Sequence, residues 1–336
     1  MRIGVIGVGR IGRFHAETLC GHAGVDSVVI CDEDAARAFT VSQELGATTA
    51  ARDAILRQVD GVVIATPTNT HAELVEEAVL AGVPVFCEKP IALDLPTTRR
   101  VAALVHERDA IVQMGFQRRF DAGYRAARDA RQSGALGRVY SVRIAGHDPA
   151  PPHEAYLPGS GGIFRDLHIH DFDIVPWVLG AAITEVYADG SVLVDDMFAR
   201  HDDIDTAIST LRFADGTLGV LTGGRHNPLG YDIRLEIFGS RDSVTVGWDA
   251  HTPMHSLEPN MPAAPVAPYA MFLDRFAAAY RAELEAFVDV VAGSIATPCH
   301  IDDAEQSLLV ALACDRSRRE RRPVRIDELR SVPQLR

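Results

Sequence analysis

The sequence predicts an α/β protein whose first part is a doubly wound parallel sheet and whose second part is an α+β domain with a large, mostly antiparallel sheet. Three observations support this fold class. Apolar runs alternate with helical segments over residues 1–115, a glycine-rich turn follows the first run, and alternating apolar and polar residues appear after residue 138. Strands that alternate with helices form parallel sheets, whereas consecutive strands favour antiparallel ones.

Length and charge set limits on the protein. Its 336 residues are too many for one core and suit two domains, which we place at residues 1–118 and 119–336. The 33 basic and 46 acidic residues leave a formal charge of −13. This charge disfavours nucleic acids and anionic membranes as partners, because both need a basic surface. No apolar run approaches the roughly 18 residues of a membrane span.

The cysteines and the N-terminus bear on the compartment. The five cysteines are an odd number without paired spacing. We therefore expect reduced thiols, a cytoplasmic location and no zinc site. The chain starts with a strand and lacks the small-residue cleavage pattern of a signal peptide, which agrees with that location.

A glycine motif follows the first strand. The apolar run Arg2–Ile6 leads into Gly7-Val8-Gly9-Arg10-Ile11-Gly12, and we expect a helix from Arg13 to Cys20. This G-x-G-x-x-G pattern between a strand and a helix marks a Rossmann dinucleotide site. The first glycine makes the turn, the second lets the backbone approach the pyrophosphate, and the third packs helix on strand. The helix N-terminus then faces the phosphates.

An acidic residue stands where the adenosine ribose is expected. Asp32 follows the strand predicted at residues 25–31 and lies 20 residues after Gly12, a spacing that suits hydrogen bonds to the ribose hydroxyls. Because Glu33 and Asp34 follow it, a ribose 2′-phosphate would meet three carboxylates. The sequence therefore favours NAD over NADP. The alternative is that Asp32 only caps the helix predicted at residues 35–45.

Further strands end in polar loops. We predict strands at residues 61–65, 83–87 and 110–115, and helices at 72–81 and 97–107. The first two strands lead into Thr66-Pro67-Thr68-Asn69-Thr70-His71 and into Glu88-Lys89-Pro90, at the sheet edge where open α/β sheets bind ligands. Lys89 is either a substrate-facing residue or a solvated loop lysine. The residues expected to contact the cofactor are Gly7, Gly9, Arg10, Ile11, Gly12, Asp32, Arg37, Ala65, Thr66, Pro67, Asn69, His71, Glu88, Lys89 and Gln117.

The middle of the chain carries a segment dense in histidine and aspartate after Gly161-Gly162. We predict one helix from Asp166 to about Leu179, so that Asp166, His170 and Asp173 share a face. A carboxylate beside an imidazole holds a general base in one tautomer. His168 and His170 point to different sides of such a helix, which argues against a shared metal ion.

The second domain is predicted from alternation. Residues 139–145 alternate as a half-buried strand, and further strands are expected at 184–188, 206–213, 217–223, 231–238 and 243–246, forming an antiparallel meander. A long loop at 249–269 precedes an amphipathic helix at 271–291.

These motifs, taken in order, resemble the glucose-fructose oxidoreductase / inositol dehydrogenase (Gfo/Idh/MocA) family. The resemblance rests on the glycine motif, the loop at 66–71, Glu88-Lys89-Pro90 and the Asp166…His170 spacing, and it covers nearly the whole chain. Within the family the chain is most similar to the myo-inositol 2-dehydrogenases, through the segments Gly115-Phe116-Gln117-Arg118-Arg119-Phe120-Asp121 and Gly230-Tyr231-Asp232-Ile233.

The resemblance implies a function. It implies an NAD-dependent enzyme that oxidises a secondary hydroxyl of a small cyclic polyol or sugar, with Lys89, Asp166 and His170 as catalytic group. His170 would take the hydroxyl proton, Asp166 would orient its imidazole, and Lys89 would stabilise the developing alkoxide. The family pattern also implies a homo-oligomer, a dimer or tetramer formed through the C-terminal sheet. The expected substrate-binding residues are Lys89, Arg118, His147, Asp148, Asp166, His170 and Tyr231.

The chain departs from the family at one strand end. Inositol dehydrogenases carry a His-x-Asn-Pro segment that binds ring hydroxyls, and here the matching residues are Gly146-His147-Asp148-Pro149. Another cyclic polyol or sugar is therefore as good a candidate as myo-inositol. The alternatives are an aldose, anhydro-sugar or nucleotide-sugar oxidoreductase, or a non-catalytic dinucleotide-binding sensor.

Overall fold

Two compact units make up the computed structural model, which describes residues 1–260 and 267–330. The first unit comprises Met1–Phe120 and Ala278–Glu305, and the second Asp121–Ala277 and Gln306–Arg336. Residues 278–305 thus belong with the N-terminal unit, which a single division after residue 118 does not anticipate.

The first unit contains a six-stranded parallel sheet. Its strands are β1 (Arg2–Ile6), β2 (Ser27–Cys31), β3 (Thr48–Thr49), β4 (Gly61–Ile64), β5 (Val85–Glu88) and β6 (Val112–Gly115), and its helices are α1 (Arg10–Cys20), α2 (Ala35–Leu45), α3 (His71–Leu80) and α4 (Leu95–Glu107). The strand order is β3-β2-β1-β4-β5-β6, with every neighbouring pair parallel. The order reverses between β1 and β4, which confirms the predicted doubly wound sheet and places its ligand site at that switch point.

Apolar side chains explain why these strands form the centre of the unit. Val62, Val63 and Ile64 of β4 are all fully buried, as expected for a strand covered on both faces. The side chain of Asp34 accepts hydrogen bonds from the first turn of α2, and Asp94 does the same for α4. Helix α1 starts at Arg10, inside the glycine motif and earlier than predicted.

The second unit contains a seven-stranded sheet. Its helices and strands are α5 (Ala122–Gln132), β7 (Val139–His147), α6 (Leu157–Ser160), α7 (Ile163–Asp166), α8 (Ile169–Leu179), β8 (Ile183–Ser191), α9 (Met197–Arg200), β9 (Thr206–Phe213), β10 (Leu218–Gly224), β11 (Asp232–Gly239), β12 (Ser243–Val246), α10 (Phe272–Val291), α11 (Ile301–Glu320), β13 (Val324–Arg325) and α12 (Asp327–Arg330). Only the first six residues of α10, up to Ala277, belong to the second unit. The remainder of α10 and the start of α11 belong to the first. The predicted loop at 249–269 includes residues 261–266, which lie outside the described residues.

The sheet is mixed, not a pure meander. Its order is β12-β11-β7-β10-β9-β8-β13. The predicted meander is wrong at one point, because β7 lies between β10 and β11, pairing parallel with the former and antiparallel with the latter. The other neighbouring pairs are antiparallel, so the expected mostly antiparallel sheet is confirmed.

The single helix predicted at residues 166–179 is also wrong. The amides of Leu167 and His168 both donate to the carbonyl of Ile163, at 3.0 Å each. This shared acceptor ends α7 at Asp166, and α8 begins only at Ile169. Asp166 and His170 therefore lie on two different helices, and helical spacing alone does not put their side chains on one face.

Two further observations concern the chain as a whole. Among the described residues, no helix combines the length and apolar character needed to cross a membrane. The cysteines at positions 20, 31, 87, 299 and 314 are all free thiols.

Candidate active site

The glycine motif has the geometry of a pyrophosphate cradle. A Cβ atom on Gly12 would lie 1.9 Å from the carbonyl oxygen of Gly7, and one on Gly7, whose φ is +87°, would lie 2.8 Å from that of Ala65. Gly9 differs, because a Cβ there would meet no atom of the protein within 4 Å. The first and third glycines thus serve packing, whereas the second leaves open space at the N-terminus of α1 where a phosphate group fits.

Asp32 is fixed beside this cradle by three donors. Its Oδ2 accepts from the amide of Val8 at 2.7 Å, and its Oδ1 accepts from Arg37 Nη2 at 2.6 Å and from the amide of Asp34 at 2.9 Å. Burial opposes ionisation, but these hydrogen bonds outweigh it and lower the pKa of Asp32. Asp34, not Asp32, caps α2, so the capping alternative for Asp32 is wrong. A charged carboxylate at the end of β2 is the expected ribose partner.

A groove of about 1320 Å³ joins the glycine motif to Asp32. Its polar and apolar lining is typical of a cofactor site. The predicted cofactor residues that line it are Gly7, Gly9, Asp32, Arg37, Ala65, Thr66, Pro67 and Asn69. Sequence reasoning missed Cys31, Phe39, Ala51 and Arg52, which line the same groove. A dinucleotide therefore fits the chain's own residues.

His71 braces two loops. Its Nδ1 lies 2.7 Å from the carbonyl oxygen of Pro90 and its Nε2 lies 2.8 Å from that of Thr66. Burial lowers the pKa of His71, against the effect of the two carbonyls. Because both ring nitrogens face protein oxygens, the role that the geometry supports for His71 is to tie the 66–71 loop to the Lys89-Pro90 turn, rather than to donate to the cofactor directly.

Lys89 follows the last residue of β5. The Lys89–Pro90 peptide bond is cis, Lys89 is half-buried, and Glu88 before it is buried. The next predicted residues, Gln117 and Arg118, are 1% exposed and belong to a short 3₁₀ helix that follows β6. The carboxyl ends of β5 and β6, which are parallel neighbours, thus present these side chains at one edge of the sheet.

The second unit gathers acids around one arginine. Arg225, directly after β10, is 3% exposed, and its Nη1 lies 2.9 Å from Asp166 Oδ2 and 3.2 Å from Asp148 Oδ2. The hydroxyl of Tyr156 donates to Asp166 Oδ1 at 2.8 Å. Both oxygens of Asp166 therefore have partners, and the two predicted acids share one guanidinium.

Burial and charge act together on this group. Burial lowers the pKa of Arg225, but Asp166, Asp148 and Asp203 outweigh it and raise that pKa overall, so the guanidinium stays charged. Burial raises the pKa of Asp148, while Arg225 opposes that shift. Burial and then the Asp166 carboxylate raise the pKa of Tyr156, which keeps its hydroxyl a donor.

The packing around Gly146 bears on the residue change that separates this chain from the family pattern. A Cβ on Gly146 would lie 3.2 Å from Asp171 Oδ2, and one on Gly223 would lie 1.9 Å from Cε1 of His168. His168 is fully buried and its Nδ1 lies 3.3 Å from Asp171 Oδ2. This buried pair fills the space behind Gly223, and at position 146 an added side chain would require Asp171 to shift by a few tenths of an ångström.

Other predicted residues of this unit lie at the same end of the sheet. His147 ends β7, and burial lowers its pKa. Tyr231 precedes β11, is 6% exposed, and packs edge-to-face on Phe276 with ring centroids 6.4 Å apart. His170 lies in the first turn of α8 and is half-buried.

Arg225 is the main residue that sequence reasoning missed here. A signal was present, because the arginine directly follows two glycines at the end of a predicted strand. Its position at the same sheet end as His147 depends on the parallel pairing of β10 with β7. Its partners could not be read from the sequence, since they lie 59 and 77 positions away along the chain.

Comparisons with known proteins agree with this geometry. Residues 1–116 match the family described as "Oxidoreductase family, NAD-binding Rossmann fold", and residues 124–245 match the "GFO/IDH/MocA C-terminal domain". The chain is 40% identical over 323 residues to the myo-inositol dehydrogenase Hyg17 of Streptomyces leeuwenhoekii, covering 94% of this chain and 97% of that protein. It is 37% identical over 333 residues to the myo-inositol 2-dehydrogenase of Thermotoga maritima, covering 98% and 99%.

A solved structure supports the same assignment. The scyllo-inositol dehydrogenase of Lactobacillus casei, with bound NAD(H) and scyllo-inositol, is similar with a TM-score of 0.87 at 26% identity, over 97% of this chain and 99% of that one. The predicted family, fold and cofactor are confirmed. The chain belongs to the GFO/IDH/MocA family and is an NAD-dependent oxidoreductase.

Proposed function

We propose that this enzyme oxidises a secondary hydroxyl group of a cyclic polyol, with an inositol as the first candidate. The observation that carries the proposal is the similarity to inositol dehydrogenases, at 37–40% identity over at least 94% of the chain. At that coverage no domain of the relatives is missing from this chain, so both their cofactor and substrate regions have counterparts here.

The first unit would hold NAD with residues described above. Gly9 and the N-terminus of α1 leave room for the pyrophosphate, and Asp32 would accept hydrogen bonds from the ribose hydroxyls. Bound NAD supplies the hydride acceptor. The protein's task is then to bind the alcohol, orient it and remove its proton.

His170, Asp166 and Lys89 are the proposed catalytic group. His170 takes the hydroxyl proton as general base, and Asp166, charged and held by Arg225 and Tyr156, stabilises the imidazolium that forms. Lys89 donates to the substrate oxygen and stabilises negative charge that develops there.

Composition gives independent support for Lys89. It is the only lysine in the chain, since the other 32 of the 33 basic residues are arginines. A compact ammonium on a flexible stem donates differently from a planar guanidinium, and the two are not interchangeable at a reacting atom. A chain that uses arginine everywhere else but lysine here is typical of a chemical requirement at that position.

The second unit offers acceptors for ring hydroxyls. Asp148 lies at the end of β7, where the family pattern places an asparagine, and shares Arg225 with Asp166. A carboxylate accepts from hydroxyl groups but does not donate to them when charged. This difference favours a substrate that donates at this position.

The residues at positions 146 and 148 also favour a second candidate function. Gly146 and Asp148 replace both hydroxyl-binding residues of the family pattern, and the buried His168 occupies the space behind Gly146. An aldose or anhydro-sugar would present fewer or differently placed hydroxyls there. We therefore keep a sugar oxidoreductase as the alternative to an inositol dehydrogenase.

We also propose a homo-oligomer, a dimer or tetramer formed through the outer face of the seven-stranded sheet, and a cytoplasmic location. Tyr187, Ile208 and Leu218 lie on that face and are 38%, 54% and 49% exposed. Exposed apolar groups on one sheet face are typical of an interface. Sedimentation of wild type and Ile208→Glu would show a larger species only for wild type; identical monomers would overturn the proposal.

A spectrophotometric panel tests the function. Inositols, aldoses and anhydro-sugars are each incubated with enzyme and with NAD or NADP, and formation of the reduced cofactor is recorded. We expect reduction of NAD with at least one inositol. Reduction only with aldoses or anhydro-sugars would select the alternative, and reduction with none of them would favour a non-catalytic sensor.

A further inference from the structure

A buried acid–base cluster lies inside the first unit. His15 of α1 and Glu283 of α10 are fully buried, and Glu88 at the end of β5 is 8% exposed. One nitrogen or carboxylate oxygen from each residue lies within 4.8 Å of the other two. His15 Nε2 lies 2.7 Å from Glu88 Oε1, a direct hydrogen bond. Glu283 belongs to neither the proposed cofactor site nor the proposed substrate site.

The burial of the Glu283 carboxylate is not offset by hydrogen bonds from the described residues. Within the described part of the chain, neither of its carboxylate oxygens has a hydrogen-bond partner. Its backbone carbonyl, by contrast, accepts from Gln113 Nε2 of β6 at 2.8 Å, so the helix itself is anchored. A buried carboxylate without donors is strongly disfavoured in its charged form.

Two occupants could relieve the negative charge of two carboxylates beside one imidazole: a proton or a divalent cation. His15 and Glu88 already satisfy each other at hydrogen-bond distance. A divalent cation would need further ligands or water, and these three side chains are closed off from solvent. A proton needs only one acceptor, and a carboxylate oxygen of Glu88 lies within 4.8 Å of one of Glu283.

We propose that Glu283 is a positioning residue: it holds a proton and directs it toward the Glu88 carboxylate, within 4.8 Å, which stabilises the turn that carries Lys89. Glu88 is then held from α1 by His15 and from α10 by Glu283. Glu88 Oε2 also lies against Gly115 of β6, where an added Cβ would come within 3.1 Å of it. Lys89 is the next residue in the chain, so its backbone is placed by this fixed neighbour.

The electrostatics agree with that proton. Burial raises the pKa of Glu283 well above its usual range, and the Glu88 carboxylate raises it further. Among the described histidines, cysteines and acids, those that cluster with Glu283 are Glu88 from β5 and His15 from α1. Gln113, from β6, is neutral.

The contribution of Glu283 to stability depends on pH. Below the unfolded-state pKa of about 4.3, Glu283 is protonated in both states. Above it, the folded protein keeps a proton that the unfolded chain has lost, so this contribution to stability declines as pH rises through the folded-state pKa. Replacement by glutamine keeps a donor at this place but removes the titration.

The first test is unfolding by urea of the full chain across pH, in wild type, Glu283→Gln and the control Glu285→Gln, whose glutamate is exposed on the same helix. We expect Glu283→Gln to gain stability relative to wild type as pH rises, while Glu285→Gln follows wild type. Parallel pH curves for all three proteins would overturn the proposal. Near-stoichiometric divalent metal in purified wild type, lost in Glu283→Gln, would overturn it in favour of a cation site.

The second test uses NMR to detect a change in the surroundings of the Lys89 side chain. Reductive methylation with ¹³C-formaldehyde labels one lysine, because the chain has no other, besides the N-terminal amine. We expect the Lys89 methyl resonance of Glu283→Gln to match wild type at neutral pH, and that of Glu283→Leu to shift or broaden. An unchanged Lys89 resonance in Glu283→Leu would overturn the positioning role.

Neither readout needs a substrate, although the catalytic meaning of Lys89 rests on the proposed function. If no polyol of the panel reduces NAD while both Glu283 experiments give the expected results, the protonated Glu283 is supported and the proposed reaction is wrong. If the panel succeeds while both readouts fail, the reaction stands and Glu283 is not a positioning residue.

Discussion

The Nη1 atom of Arg225 lies 2.9 Å from Oδ2 of Asp166 and 3.2 Å from Oδ2 of Asp148. One buried guanidinium thus holds the proposed catalytic acid and the acid that departs from the family pattern. This relation makes Arg225 a shared partner that orients both carboxylates and opposes the effect of burial on the pKa of Asp148.

Arg225→Met should lower kcat/KM by about 100-fold or more, because breaking a buried ion pair leaves unpaired carboxylates and costs about 3–5 kcal/mol. Loss of the cation also raises the pKa of nearby groups, so the acidic limb of the kcat/KM profile should move to higher pH. Arg225→Lys keeps the charge and should shift the profile less. Arg143→Met, on the exposed sheet face, is the control. If it and Arg225→Met behave alike, Arg225 has no role in the site.

Two glycines of the cradle should respond differently to alanine. Gly12→Ala places a methyl group 1.9 Å from the Gly7 carbonyl oxygen, so we expect a lower thermal midpoint. Gly9→Ala meets no protein atom within 4 Å and has a negative φ, so it should fold normally yet bind NAD about tenfold or more weakly, since the methyl group enters the phosphate space. Calorimetry of unfolding and of NAD binding measures both effects. Unchanged NAD affinity in Gly9→Ala would contradict the placement of the pyrophosphate.

Asp32 and Arg37 should control the choice between NAD and NADP. Asp32→Ala removes the acceptor for the ribose and should weaken NAD binding by about 10–100-fold, the value of a charged hydrogen bond or two. It also releases Arg37, whose Nη2 lies 2.6 Å from Asp32 in the native protein, so NADP binding should improve. In Asp32→Ala/Arg37→Ala the gain for NADP should disappear. Titration of each variant with NAD and with NADP measures these affinities. Equal NAD affinities in wild type and Asp32→Ala would show that another residue contacts the ribose.

Lys89→Arg should be as damaging as Lys89→Met, although it preserves the charge. A guanidinium cannot place one compact donor at the substrate oxygen, and removal of one such donor lowers kcat by about 100-fold or more. Steady-state kinetics on the best substrate of the panel compare the two variants, with NAD affinity as the control for folding. Near-native kcat in Lys89→Arg would mean that only charge matters at this position.

Local signals in the sequence predicted the first unit well. Gly7, Gly9 and Gly12 act within one turn, and Asp32 follows an apolar strand at a fixed spacing, so neither depends on distant packing. The break between Asp166 and His170 could not be predicted, because it depends on two amides that share the carbonyl of Ile163.

Long-range partners limited the prediction of the second site. Arg225 meets Asp148 and Asp166 only because β10 pairs with β7, a parallel pairing that a meander pattern does not contain. Glu283 reaches Glu88 across 195 positions, and in the sequence it is one of many acids on a helix. The partners of such residues can be identified only when the order of the strands in the sheet is known.

We propose His170 as the general base of an NAD-dependent polyol dehydrogenase. The most direct test measures NADH formation from the polyol panel by wild type and His170→Ala, together with NAD affinity. We expect wild type to oxidise at least one inositol, and His170→Ala to lose about 10²–10⁴-fold in kcat while it binds NAD as wild type does. Turnover in His170→Ala equal to that of wild type would exclude His170 as the general base.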